Sequence, residues 1–189
     1  MDSEIRQVLL GVRQGTVSVD QALLTLKQKP FEDLGYAKVD LHRKLRQGAG
    51  EVIYGEGKTG EQIVGILTGM AENGQKNVLI TRLSPEKAAF VQKTHPIFYD
   101  PASRIGILGE KAQPWGMGKI VIATGGTSDI PVAEEAALTA EFLGNPVNRL
   151  YDVGVSGIHR LLRHSEELMD ASVVVAIAGM EGALASVIG

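Results

Sequence analysis

Residues 123–136 read ATGGTSDIPVAEEA and bring three chemical handles into one turn: bare backbone at Gly125 and Gly126, hydroxyls at Thr127 and Ser128, and a carboxylate at Asp129. Backbone amides and hydroxyls at the mouth of a helix all donate hydrogen bonds toward one point, which suits an oxyanion. A carboxylate there repels that anion unless a divalent cation intervenes or the carboxyl keeps its proton. Two similar turns follow. Asp152, Gly154 and Gly157 precede His159 and Arg160 in YDVGVSGIHR, and Gly179, Met180 and Glu181 stand in AIAGMEGALA. Each turn alone also has a plain reading, with glycine supplying positive φ and Ser128 or Asp129 capping a helix. His159 reads equally as a helix-face imidazole bonded to a carbonyl, and Arg160 as an anion fork or half of a salt bridge.

The flanking elements say how these turns would meet. KIVIAT, RLYDVG and ASVVVAIAG each read as a strand running into a glycine turn and then a helix. Right-handed crossovers between parallel strands put such turns at one carboxyl edge of the sheet, where α/β proteins bind ligands. The three turns are therefore expected to line one pocket, with Asp129, Asp152 and Glu181 gathered above the sheet and His159 nearby. The helices agree: Ala133, Ala136, Ala137, Ala140 and Leu143 form one apolar stripe, and Ile158, Leu161, Leu162, Leu168 and Met169 another.

Upstream, the pattern is mainly helical. Ser18 and Gln21 make a capping box before Ala22 and Leu23, and Thr59 and Gln62 make a second after the short strand Val52–Tyr54. GEGKT is not a phosphate loop of the GxxxxGK[ST] kind, because Val52 stands where that signature needs glycine. Lys58 and Thr59 read as a plain helix cap or, alternatively, as an anion contact at a helix start. Lys38, His42, Arg43, Lys44 and Arg46 form the densest positive cluster, either a solvated helix face or an anion clamp. From Asn77 onward short apolar runs alternate with helices, the pattern of a largely parallel sheet. The expected division is a mainly helical region over 1–74 and an α/β core over 75–189.

Composition narrows the functions. The 189 residues, 44% hydrophobic, suffice for a sizeable core. No run approaches the roughly 18 apolar residues of a membrane span, and the charged start MDSEIRQ lacks a signal core, so a cytoplasmic protein without a membrane partner is expected. A net charge of −3 offers nucleic acid no general field. There is no cysteine, which excludes disulfides, thiolate metal sites and cysteine nucleophiles within this stretch. Neither HExxH nor paired CxxC occurs, and the first βα turn lacks GxGxxG.

GGTSDIPVAEEA, YDVGVSGIHRLL and VAIAGMEGALASVIG together resemble the LarB proteins, the pyridinium-3,5-biscarboxylic acid mononucleotide synthases of nickel-pincer cofactor assembly. The likeness extends upstream through VDLHRKLRQG and VIYGEGKT. It implies a three-layer α/β core similar to the PurE and flavodoxin folds, behind a mostly helical N-terminal region that PurE lacks. It also implies carboxylation of nicotinic acid adenine dinucleotide at pyridine C5 with carbon dioxide or bicarbonate, hydrolysis of its phosphoanhydride with loss of AMP, a magnesium requirement and a homo-oligomer.

By matching position, Gly125, Gly126, Thr127 and Ser128 would contact phosphate or ribose, with Gly154, Gly157, Arg160, Gly179 and Met180 completing the substrate surface. Asp129, Asp152 and Glu181 would hold magnesium or move protons, with His159 as a further catalytic group. The family adds a cysteine thiolate to the pyridinium ring to make it nucleophilic. This sequence has no cysteine, which is read as a fragment that binds the dinucleotide without carboxylating it. The alternatives are a PurE-type aminoimidazole ribonucleotide carboxylase or mutase, which needs no thiol, and a non-catalytic nucleotide-binding module.

Overall fold

The computed structural model describes residues 2–28, 31–33, 35–40, 51–110, 113–180 and 182–189. Two helices, α1 (Asp2–Arg13) and α2 (Val19–Gln28), open the chain, followed by an antiparallel pair, β1 (Phe31–Asp33) with β2 (Lys38–Asp40). The Ser18 box forms as expected: the Gln21 amide donates to Ser18 Oγ at 3.2 Å and the Ser18 amide to Gln21 Oε1 at 3.4 Å. Of the basic cluster, Lys38 lies in strand β2 rather than on a helix; His42, Arg43, Lys44 and Arg46 are outside the described residues.

A four-stranded sheet follows, built from β3 (Val52–Tyr54), β4 (Val78–Thr81), β5 (Ile97–Asp100) and β6 (Ile105–Leu108) in the order β3-β4-β6-β5. Helix α3 (Gly60–Glu72) crosses from β3 to its parallel neighbour β4, and α4 (Pro85–Val91) links β4 to β5. Ile63, Ile66, Leu67 and Met70 of α3 are buried against Val78, Ile80, Leu83, Ala88 and Val91. Each of the isoleucine, leucine, valine and methionine side chains contributes roughly 1.5–3 kcal/mol. A boundary after residue 74 would thus run between elements that pair and pack with one another. This sheet is also less parallel than the alternating pattern suggested: β4–β6 and β5–β6 are antiparallel. Only residues 101–104 join β5 to β6, too few for the crossover that parallel neighbours require.

The second sheet is wholly parallel, β8 (Val147–Leu150), β7 (Ile120–Thr124) and β9 (Val173–Ile177) in the order β8-β7-β9. Val121 and Ala123 of β7 turn one way, into a cluster with Leu150, Val153, Leu161 and Leu184. Ile122 turns the other way, onto Ala133 and Ala137 of α5 (Ile130–Phe142). Helices α6 (Ile158–Leu162), α7 (Ser165–Met169) and α8 (Ala183–Ile188) complete the chain. The sheet is therefore sandwiched between helices, the three-layer α/β arrangement expected of parallel strands.

Helix α5 is shared by both sheets. Its alanines meet β7, while Leu138 and Phe142 pack on Leu79, Ile105 and Ile107 of the first sheet. Close approach on the alanine side is what the small side chains permit.

The segment 158–169 is not one helix. It breaks at Arg163–His164, and beyond the break Asn148 Nδ2 donates to Glu167 Oε1 at 2.6 Å, tying α7 to β8. The stripe read for one continuous helix accordingly splits: Leu161 and Leu168 join the core, while Ile158, Leu162 and Met169 are exposed. No helix among the described residues is long and apolar enough to cross a membrane.

Candidate functional site

Because β7, β8 and β9 are parallel neighbours, their carboxyl ends share one edge, and the three glycine turns meet there. The contacts between turns are direct. The Gly125 amide donates to the Ile177 carbonyl at 2.9 Å, and the Val153 amide to the Thr124 carbonyl at 3.0 Å. Gly154 lies so close to the first turn that a Cβ there would sit 2.3 Å from the Gly125 carbonyl oxygen. Thr124, fully buried, accepts from the Asp152 amide through Oγ1 at 2.9 Å. This threonine, which closes the apolar run Ile120–Ala123, is the positioning residue that pattern reading passes over; its signal is a hydroxyl at the last strand position before two glycines.

Within the first turn the donors divide. Gly125 N–H goes to Ile177, and Gly126 N–H to Asp129 Oδ2 at 2.9 Å. These two amides, expected to hold an anion, are spent on the fold. The amides of Thr127 and Ser128, in the single 3₁₀ turn before α5, have no acceptor among the described residues, and both side chains are exposed. First-turn amides without an intrahelical partner are the natural oxyanion donors. Asp129 faces back to brace its own turn.

In the second turn, Asp152 Oδ2 accepts from Arg160 Nη1 at 2.5 Å, with side-chain exposures of 50% and 35%. So open an ion pair is worth about 0.2–1 kcal/mol, which leaves it free to rearrange around a ligand. The Arg160 guanidinium folds over Gly157, where a Cβ would meet Nε at 2.8 Å. His159 is exposed. Asp152 also carries φ of 58°, a left-handed conformation that costs a non-glycine residue energy and that clusters at ligand sites.

The third turn is open. Gly179 has no atom within 4 Å of a Cβ position, Met180 is wholly exposed with φ of 53°, and Glu181 lies outside the described residues. Of the expected magnesium set, Asp129 and Asp152 are each engaged elsewhere. No group of three metal-ligating side chains forms among the described residues.

Beside the turns, a polar network pins α5 to β8. Arg149 Nε donates to Glu134 at 3.2 Å and Nη1 to Glu141 at 2.5 Å, while the Tyr151 hydroxyl donates to Glu134 Oε1 at 2.5 Å. Burial, then the Glu134 bond, pushes the Tyr151 phenol well above its ordinary range. Burial alone would depress Arg149, but Glu141 and Glu134 outweigh it and raise it. The GEGKT start is structural: Thr59 and Gln62 exchange both box hydrogen bonds, and Lys58 Nζ donates to the Tyr54 carbonyl at 3.2 Å.

The LarB/PurE-like N-terminal domain family matches residues 31–110. The uncharacterized protein MJ0165 of Methanocaldococcus jannaschii is 36% identical over 197 aligned residues, an alignment taking in 100% of this chain and 77% of that relative. With these matches, the chain belongs to the LarB/PurE-like family, a carboxylase-type enzyme family related to nickel-pincer cofactor biosynthesis or to PurE-like carboxylation.

Proposed function

We propose that this chain supplies the nucleotide-holding core of an enzyme that carboxylates nicotinic acid adenine dinucleotide at pyridine C5 and hydrolyses its phosphoanhydride, releasing AMP and pyridinium-3,5-biscarboxylic acid mononucleotide. The observation that carries it is the junction of the three turns, where Gly154 rests on the Gly125 carbonyl and the Thr127 and Ser128 amides stay unpaired beside it. In this reading those two amides and hydroxyls take the phosphate of the mononucleotide half. Arg160 swings from Asp152 to a second anionic oxygen. Asp152, released from its partner, takes the C5 proton when carbon dioxide, supplied directly or from bicarbonate, replaces it. The 189 residues contain no cysteine, so the thiolate that makes the ring nucleophilic must come from outside them.

The test is to incubate the chain with the dinucleotide, magnesium and bicarbonate, and to weigh the products. AMP without a carboxylated mononucleotide is the expected outcome. Failure to bind the dinucleotide by calorimetry, together with no AMP, would refute the reading. The missing thiol favours one rival, a PurE-type carboxylase acting on an imidazole ribonucleotide. Tighter binding of that ribonucleotide than of the pyridine dinucleotide would select it.

A further inference from the structure

Asp152, with its left-handed φ of 58°, stands between two residues that leave in opposite directions. Tyr151 packs into the cluster on the α5 side of the second sheet, where its hydroxyl donates to Glu134 Oε1 at 2.5 Å. Val153 is buried on the other side, with Val121, Leu150 and Leu161. One residue of the adjacent strand holds the backbone between them. Thr124, fully buried, accepts the Asp152 amide on Oγ1 at 2.9 Å and the Val153 amide on its carbonyl at 3.0 Å. With both flanking side chains buried and both amides held, the freedom left to residue 152 is that of its own side chain.

Nothing in this frame asks for a carboxylate. Glycine enters the left-handed region at no steric cost, whereas other residues are strained there. A side-chain oxygen just before a helix commonly caps it. Here it does not: among the described residues the Asp152 carboxylate accepts from no backbone amide, so it caps neither the turn Val155–Gly157 nor helix α6. Its partner is Arg160, in the half-exposed pair described above. Pairs so open are weak chiefly because both side chains must be ordered to make them. In this turn the Cα–Cβ direction of Asp152 is set in advance, by groups that are buried whether or not Arg160 is present. The carboxylate therefore stays at hand when Arg160 leaves for an anion, as a group that takes the ring proton must.

We propose that Thr124 and Tyr151 are positioning residues for Asp152: the threonine holds its amide and the tyrosine anchors the residue before it, so that the carboxylate is aimed at Arg160 and keeps its place when Arg160 is drawn away. The proposal rests on the nucleotide reading for the identity of the anion, though the clamp itself can be measured without one.

The test follows the Arg160 side-chain N–H resonances by NMR in the unaltered chain, Asp152→Asn, Thr124→Val, Thr124→Ser and Tyr151→Phe, with thermal melting to verify that each is folded. Asp152→Asn marks the unpaired position of the signal. Thr124→Val should move it most of the way there and speed hydrogen exchange of the Asp152 amide by about tenfold or more, leaving the Val121 amide unchanged. Thr124→Ser keeps the acceptor and should restore both. Tyr151→Phe should move the signal in the same direction by less. An Arg160 signal that Asp152→Asn or Thr124→Val leaves in place overturns the proposal, and so does a serine variant that behaves like the valine one, since packing would then explain the effect. A silent Tyr151→Phe overturns the tyrosine's part. Rapid exchange of the Asp152 amide in the unaltered chain overturns the clamp even where Thr124→Val fails to fold. Titrating nicotinic acid adenine dinucleotide into the unaltered chain separates the two readings: an Arg160 signal that leaves its paired position supports both, and one that stays refutes the nucleotide reading while the clamp is decided by the variants.

Discussion

Replacing Gly154 by alanine tests whether two turns really lock together. Gly154 has φ of −59° and ψ of 154°, which alanine adopts without strain, so only space is at issue. The new methyl would lie 2.3 Å from the Gly125 carbonyl oxygen and 3.2 Å from its carbon. Atoms in contact want about 3.5 Å, so the turns must part by about 1 Å. Overpacking of this kind costs about 1–3 kcal/mol. At about 2 kcal/mol a chain of this size should melt some 4–8 °C lower. Dinucleotide affinity should fall with it, because Thr127 and Ser128 ride on the displaced turn. Thermal denaturation followed by circular dichroism gives the first quantity and titration calorimetry the second. Gly179→Ala is the control: its Cβ meets nothing within 4 Å, and stability should stay within about 0.5 kcal/mol. A Gly154→Ala protein that melts and binds like the parent would refute the reasoning.

Further outcomes follow from the same geometry. Asp152→Asn in a complete, cysteine-bearing family member should slow turnover by about 10²- to 10⁴-fold while moving stability by less than about 1 kcal/mol, read from initial rates and urea midpoints. Arg149→Gln leaves Glu134 and Glu141 half-buried without their shared cation and should cost about 1–3 kcal/mol, measured by denaturant unfolding. Tyr151 has a folded-state pKa above its ordinary 10.0, so the stability it contributes is full below about pH 10 and drains away as pH rises further. Urea midpoints between pH 9 and 11.5 should fall more steeply in the parent than in Tyr151→Phe. Thr59→Ala should cost about 1 kcal/mol by removing one half of the α3 capping box.

The gathering of the three turns was legible because it is a matter of connectivity: strand, glycine turn and helix, repeated, leave parallel strands little choice of edge. The capping boxes at Ser18 and Thr59 were legible for a similar reason, since both partners lie within one helical turn. What stayed hidden depends on partners far apart in the chain. That the Gly125 amide is spent follows from the Ile177 carbonyl, a neighbour only after β9 pairs with β7. The alanine pattern of α5 announced one buried face, but Leu138 and Phe142 were needed for a second, and nothing local says that another sheet waits there. The antiparallel turn of β5 into β6 was masked by apolar runs that look alike in either direction. A left-handed arginine, as at 82 and 104, has no compositional mark at all.

With both flanks of α5 committed to partners, the helix acts as a common axle whose angular setting serves two bearings at once. One inserted residue would turn everything beyond it by about 100°, swinging alanines toward Leu79 and bulk toward Ile122 in a single step. Length variation in natural relatives should therefore concentrate in the connections before residue 130 and after residue 142, and spare the rod between them.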